Sequence, residues 1–154
     1  MEEVKSRKIH GRVREVTPDR LNRKIDYHIL KNIRSYRNYS HSEIAVRIEE
    51  LRKEWDIEKT LEVNASALAL TGIVLSATVS KKWLILPGIV TAFLLQHGLQ
   101  GWCPPLPLFR AMGIRSRYEI NEEMYALKII RGDFNPISSN SQPDEILNFL
   151  RKKQ

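Results

Sequence analysis

Gln96, His97, Gln100 and Cys103 are the one group of residues whose types and spacing could do chemistry. Gln96 and Gln100 are four residues apart and Gln100 and Cys103 three, so on a helix these three share a face with His97 alongside. A thiolate beside an imidazole is a soft-metal ligand pair or a sulfur acceptor. One thiol and one imidazole, however, are two ligands short of a closed tetrahedral site. Cys103 is the only cysteine, which also excludes an internal disulfide. No Walker loop, dinucleotide fingerprint, HExxH or GxSxG is present in the sequence. The expectation is therefore of no enzyme, no metal and no cofactor. The cluster stands as a possible functional group at the end of an apolar helix, where polar side chains are costly and often functional.

The elements that would position it follow from a segregation of charge. The chain has 154 residues, enough for one ordinary domain, with 25 Lys plus Arg against 18 Asp plus Glu and a formal net charge of +7. A mean hydropathy of −0.36 suggests a soluble basic protein. Yet from Val63 to Phe109 there is no acidic residue, and the only formal charges are Lys81 and Lys82.

Ala65 to Ser80 is uncharged over sixteen residues, and Trp83 to Leu99 over seventeen with His97 neutral. Crossing the hydrocarbon core takes about 20 apolar residues, within a range of roughly 17 to 25. Two such runs flanking Ser80-Lys81-Lys82 predict a transmembrane helical hairpin over residues 61–103. Trp83 and Trp102 bracket the second run at the two expected interfaces. Gly72, Ser76 and Ser80 recur every four residues on the first run, as do Gly88 and Ala92 on the second. Rows of small residues let two helices approach closely, so these five are the expected helix-packing positions. Pro87 either bends the second span or shortens it. The competing reading, two buried helices inside a soluble bundle, asks too few and too polar residues to wrap them.

The flanks predict an all-α protein. Ser40-His41-Ser42-Glu43 is a capping box opening an amphipathic helix over residues 40–60, with Ile44, Ile48, Leu51 and Trp55 on one face. Prolines 104, 105 and 107 break the chain after the second span, and Ser116-Arg117-Tyr118-Glu119 caps a further helix, closing the region 104–132. Asp133, Glu122 and Glu123 read as a solvated helix face. Residues 133–154 read as a linker and a short C-terminal helix. Residues 1–39, with eleven basic and five acidic residues, read as a loosely ordered, partly disordered basic arm. A sharper reading has this arm attracted to anionic lipid headgroups. Tyr27, Tyr36 and Tyr39 lie among the cations, but no nucleic-acid-binding motif accompanies them, so nucleic acid is the poorest fit.

Two spans put both termini on one side. The outer flanks carry Arg47, Arg52, Lys53, Lys59, Arg110, Arg115 and Arg117 against two lysines in the turn, which predicts cytoplasmic termini. The first 40 residues contain no apolar stretch of signal-peptide length.

The run QHGLQGWCPPLPLFRAMGIRSRYEINEEMYALKIIRGDF, preceded by EWDIEKTLEVNASALALTGIVL, resembles the YgaP-like inner-membrane transmembrane domain family of bacteria. Gly101, Cys103 and Pro104 match that family's Gly-x-Cys-Pro signature after the second span. The resemblance covers roughly residues 54–134. It implies a bacterial inner-membrane protein with the hairpin at its centre. In some members the hairpin is attached to a rhodanese domain; these 154 residues contain no such active-site loop, so sulfurtransferase activity is not carried over. The expected function is a non-enzymatic scaffold or interaction subunit whose partners are the bilayer, other membrane proteins or further copies of itself. The alternative is a redox- or sulfur-handling component using Cys103 with His97.

Overall fold

Side-chain caps open three of the longer helices among the described residues. In the computed structural model, which describes residues 11–138 and 141–153, both capping boxes form. The Glu43 N–H donates to Ser40 Oγ at 3.4 Å and the Ser40 N–H to Glu43 Oε2 at 2.8 Å. They open helix α3, His41–Lys53. The same reciprocal pair between Ser116 and Glu119 opens α7, Arg117–Ile130. Around them lie α1 (Gly11–Glu15), α2 (Asp19–Tyr36), α4 (Ile57–Thr78), a 3₁₀ turn (Lys81–Leu84), α5 (Ile85–Gln100), α6 (Leu106–Ala111) and α8 (Pro143–Lys153). All the regular structure among the described residues is helical, with no strand among them.

The amphipathic helix expected to run on from Ser40 to residue 60 stops early. Glu54 takes an extended backbone, and the Asp56 carboxylate accepts the Lys59 N–H at 2.7 Å. That third cap starts α4 afresh at Ile57, the carboxylate satisfying one of the N–H groups that a helix start leaves orphaned. The basic arm also differs from expectation over its described part. Residues 11–36 form two helices, with Val13 in the core beside Ile57 and Leu61, and Ile25 and Ile29 buried on α2. Residues 1–10 lie outside the described part.

α4 and α5 fold back on one another as a helical hairpin. Pro87 falls in the first turn of α5, where its missing N–H costs no helical bond, and the 3₁₀ turn ahead of it absorbs its ring. α1, α2, α3, α6 and α7 form a head at the open end of the hairpin, built on two apolar clusters. One joins Val13, Ile57, Leu61, Cys103 and Leu106 at the hairpin base. The other joins Ile44, Ile48 and Leu51 of α3 to Ile120 and Leu127 of α7.

Candidate functional site at the base of the hairpin

The end of α5 is where the sequence puts its chemistry and where the head grips the hairpin. Gly101 closes the helix with φ +75°, its N–H donating to His97 O at 2.7 Å, a left-handed cap that glycine adopts without strain. It has a second reason to be glycine. A Cβ there would stand 2.7 Å from Arg12 Cβ, because α1 lies directly against the turn. From that position Arg12 Nη1 donates to Gly98 O at 2.9 Å and Leu99 O at 3.4 Å. A guanidinium thus satisfies carbonyls that the helix leaves orphaned and complements the negative end of its dipole.

The four residues of the expected cluster part company here. Cys103 turns into the core, 2% exposed, among Val13, Ile57, Leu61 and Leu106. Burial pushes its thiol above the ordinary cysteine value, so the thiolate needed for nucleophilic or metal chemistry is disfavoured. Gln100 is exposed and Gln96 half-buried. His97 Nδ1 is buried without a hydrogen-bond partner among the described residues. It lines a cavity of about 300 Å³ together with Arg12, Glu58, Ser116 and Tyr118, but not with Gln96, Gln100 or Cys103. Among the described residues no three His, Cys, Asp or Glu side chains are grouped to hold a metal ion.

Of the five small residues assigned to helix packing, Gly72 faces the partner helix. A Cβ on it would sit 2.5 Å from Pro87 Cδ and 3.2 Å from Leu86 Cβ. Ser76 is half-buried and Ser80 exposed at the turn. Gly88 and Ala92 turn outward: a Cβ on Gly88 would meet nothing within 4 Å, and Ala92 is exposed.

The most elaborate polar structure is one the sequence reading missed. Glu123, expected on a solvated face, has no exposed side-chain surface. It accepts from Asn32 of α2 at 3.2 Å and from Arg47 of α3 at 2.9 Å, and it pairs with Arg115. Arg115 also pairs with Glu54 at 2.5 Å. One turn earlier Glu119 takes a bidentate pair from Arg110 at 2.6 and 2.8 Å, both side chains fully buried. Arg14 adds a bond to Glu119 at 3.0 Å while holding Asp26 at 2.6 Å, and Arg110 reaches Asn22 at 2.8 Å. Asp133 is likewise buried and paired with Arg131.

Planar guanidinium forks are what let carboxylates be buried here, since each fork presents two parallel donors. Burial alone would raise the Glu119 carboxyl. The Arg110 hydrogen bonds and charge, the Ser116 N–H and Arg14 outweigh it and hold the carboxyl below its ordinary value. The two glutamates therefore clamp α1, α2, α3 and α6 onto α7, and this clamp holds the surface from which the hairpin leaves. A signal was present: Glu123 falls between Ile120 and Leu127 on the apolar side of α7, where a lone charge needs a partner.

Comparison with family models, with curated proteins and with solved structures finds no match to this chain.

Proposed function

We propose that the chain is a two-span protein of the bacterial inner membrane whose helical head stays on the cytoplasmic side as a non-enzymatic scaffold or interaction module. One observation carries this reading. α5 buries none of its residues, and beyond Leu61 α4 buries only Gly72. Leu70, Ile85, Leu95 and Leu99 are each more than 60% exposed. The two helical segments ending at Thr78 and Gln100 are long and apolar enough to cross a membrane, and a soluble bundle would have covered them. Lipid tails are the solvent that such surfaces match.

The dimensions agree. Sixteen α-helical residues in α5 give about 24 Å, and the four-residue 3₁₀ turn adds about 8 Å, against a hydrocarbon core of about 30 Å. Trp83 and Trp102 are both partly exposed near the two ends. The Gly-x-Cys-Pro signature at Gly101, Cys103 and Pro104 supports kinship with the YgaP-like proteins. Burial of Cys103 counts against the redox or sulfur-handling alternative, which needs an accessible thiol.

The same burial makes Cys103 a poor reporter of topology, so the test uses placed cysteines in a Cys103→Ala background. In intact bacteria expressing the chain, a membrane-impermeant maleimide is expected to label Ser80→Cys in the turn. It should reach Tyr125→Cys on the head only after permeabilisation. Labelling of Tyr125→Cys alone in intact cells overturns the orientation. Release of the native chain from membranes by alkaline carbonate overturns the span itself.

A further inference from the structure

The outward face of α2 has a composition the rest of the head does not share. At about 100° per residue, Arg20, Arg23, Lys24, Tyr27, Lys31 and Arg34 fall within an arc of about 100°. They stand opposite the buried Asn22, Ile25 and Ile29. All six are exposed, Tyr27 by 63% at the middle of the arc, and Leu30 at its edge is 52% exposed. The two acids of the helix lie off this face: Asp26 is held by Arg14, and Asp19 sits at the N-terminus. Elsewhere on the head most arginines are matched to a carboxylate, as at Arg14, Arg47, Arg110, Arg115, Arg117 and Arg131, while Arg12 is held by backbone carbonyls. None of the five cations on the α2 face forms an ion pair with a described residue.

We propose that this face docks on the anionic phospholipid headgroups of the leaflet in which the hairpin is anchored, an assignment that rests on the two-span reading above. From Arg20 to Arg34 the face is about 21 Å long, a run of cations of the kind an anionic surface attracts. Tyr27 and Leu30 supply the amphipathic and apolar contacts suited to the headgroup boundary. Proximity comes from α1: Arg12 is bonded to the end of α5, and α2 begins seven residues later at Asp19. The face is therefore tethered beside the bilayer, so a weak electrostatic attraction suffices. Because the apolar side of α2 is already buried in the head, the contact is superficial and salt-sensitive rather than an insertion.

The full chain, carrying Tyr27→Cys in a Cys103→Ala background, is reconstituted into nanodiscs. One set is pure phosphatidylcholine; in the other, phosphatidylglycerol makes up about a third of the lipid. Maleimide labelling of Tyr27→Cys is expected to slow by at least about fivefold in the anionic discs. Salt at about 0.5 M should restore the rate, as should R20Q/R23Q/K24Q/K31Q/R34Q. Labelling of Tyr125→Cys on α7 is expected to be the same in both sets, and circular dichroism of the five-fold variant checks that the head is folded. Equal Tyr27→Cys rates in the two lipids overturn the docking face while leaving the hairpin in place. Protection by added RNA or duplex DNA in the phosphatidylcholine discs, without protection by anionic lipid, reassigns the face to nucleic acid and also overturns the proposal. A chain that does not enter discs at all overturns the two-span reading and this inference together.

Discussion

α5 and α7 are neighbours in length, sixteen and fourteen residues, and opposite in what they hide. α5 is apolar along nearly its whole length and buries nothing, whereas α7 buries Glu119, Glu123 and Lys128 beside Ile120 and Leu127. Judged by the rule that apolar groups go inside and charges outside, both helices are inverted. The inversion disappears once each is assigned its own surroundings. Under the proposed two-span reading lipid tails cost α5 nothing to face, and guanidinium forks provide α7 with partners that water would otherwise supply. The hairpin rests on close steric approach, the head on two apolar clusters locked by buried charge pairs, and each can be broken separately.

The largest effect is expected from removing a buried hub. Glu119→Ala would leave Arg110 fully buried without its carboxylate and free Arg14 from one of its two partners. Breaking a buried pair from one side costs about 3–5 kcal/mol, so the head is expected to be unfolded or close to it. Denaturant titration of the detergent-solubilised chain, followed by circular dichroism, measures this. A cost below about 1 kcal/mol would mean that solvent already reaches the pair.

Acid offers a way to break the head without mutation. The Glu119 carboxyl is held below its ordinary value of 4.5 in the fold, so the folded head binds fewer protons than the unfolded chain near that pH. Its contribution is complete above the ordinary carboxylate range and is lost as pH falls through the depressed value. From Val63 onward the hairpin carries no acidic residue, and the two acids of α4, Glu58 and Glu62, lie in its first two turns beside the head. Lowering the pH from 5 to about 2 is expected to melt the head while the helicity of α4 and α5 persists. Loss of all helicity in a single acid transition would show that the hairpin depends on the head for its structure.

How much of this was legible in the sequence divides along the same line. The all-α content, the two capping boxes and the apolar runs are local signals, and a reader of residues sees them directly. What escaped were events that join distant segments. Asp56 ends α3 and starts α4 because Arg117, sixty-one residues away, also fixes its carboxylate at 2.7 Å. Residues 11–36 looked like a loose arm because the partners of Arg14 and Asn32, Glu119 and Glu123, lie about ninety residues or more along the chain. The candidate site failed to assemble for a related reason. Spacing on one helix put Cys103 with Gln96 and Gln100, but the left-handed turn at Gly101 ends that helix first and sends the thiol into the head.

A middling effect is expected within the hairpin, where two glycines with the same motif status differ in surroundings. Gly72→Val would force a branched side chain into the place where Pro87 Cδ lies 2.5 Å from a hypothetical Cβ. Overpacking of that kind costs about 1–3 kcal/mol. Gly88→Ala meets nothing within 4 Å and is expected to lie within about 0.5 kcal/mol of neutral. Proteolytic resistance of the hairpin in micelles separates them. Equal sensitivity at the two positions would mean that Gly88 faces a neighbour, a second copy of the chain being the first to examine by crosslinking.

The smallest effect is the most informative control on the head. Glu49 on α3 also pairs with two cations, Lys53 at 3.3 Å and Arg52 at 3.5 Å, so by inventory it resembles the buried glutamates. Its side chain is 51% exposed and that of Lys53 76%, and water screens both. Glu49→Ala is therefore expected to cost no more than about 0.5 kcal/mol in the same titration that registers Glu119→Ala, and to cost less still as salt is added. The ratio between the two measures what burial adds to a charge pair in this protein. If Glu49 proved as costly as Glu119, the contrast between a screened surface pair and a sealed clamp would be lost, and burial would not be what gives the clamp its strength.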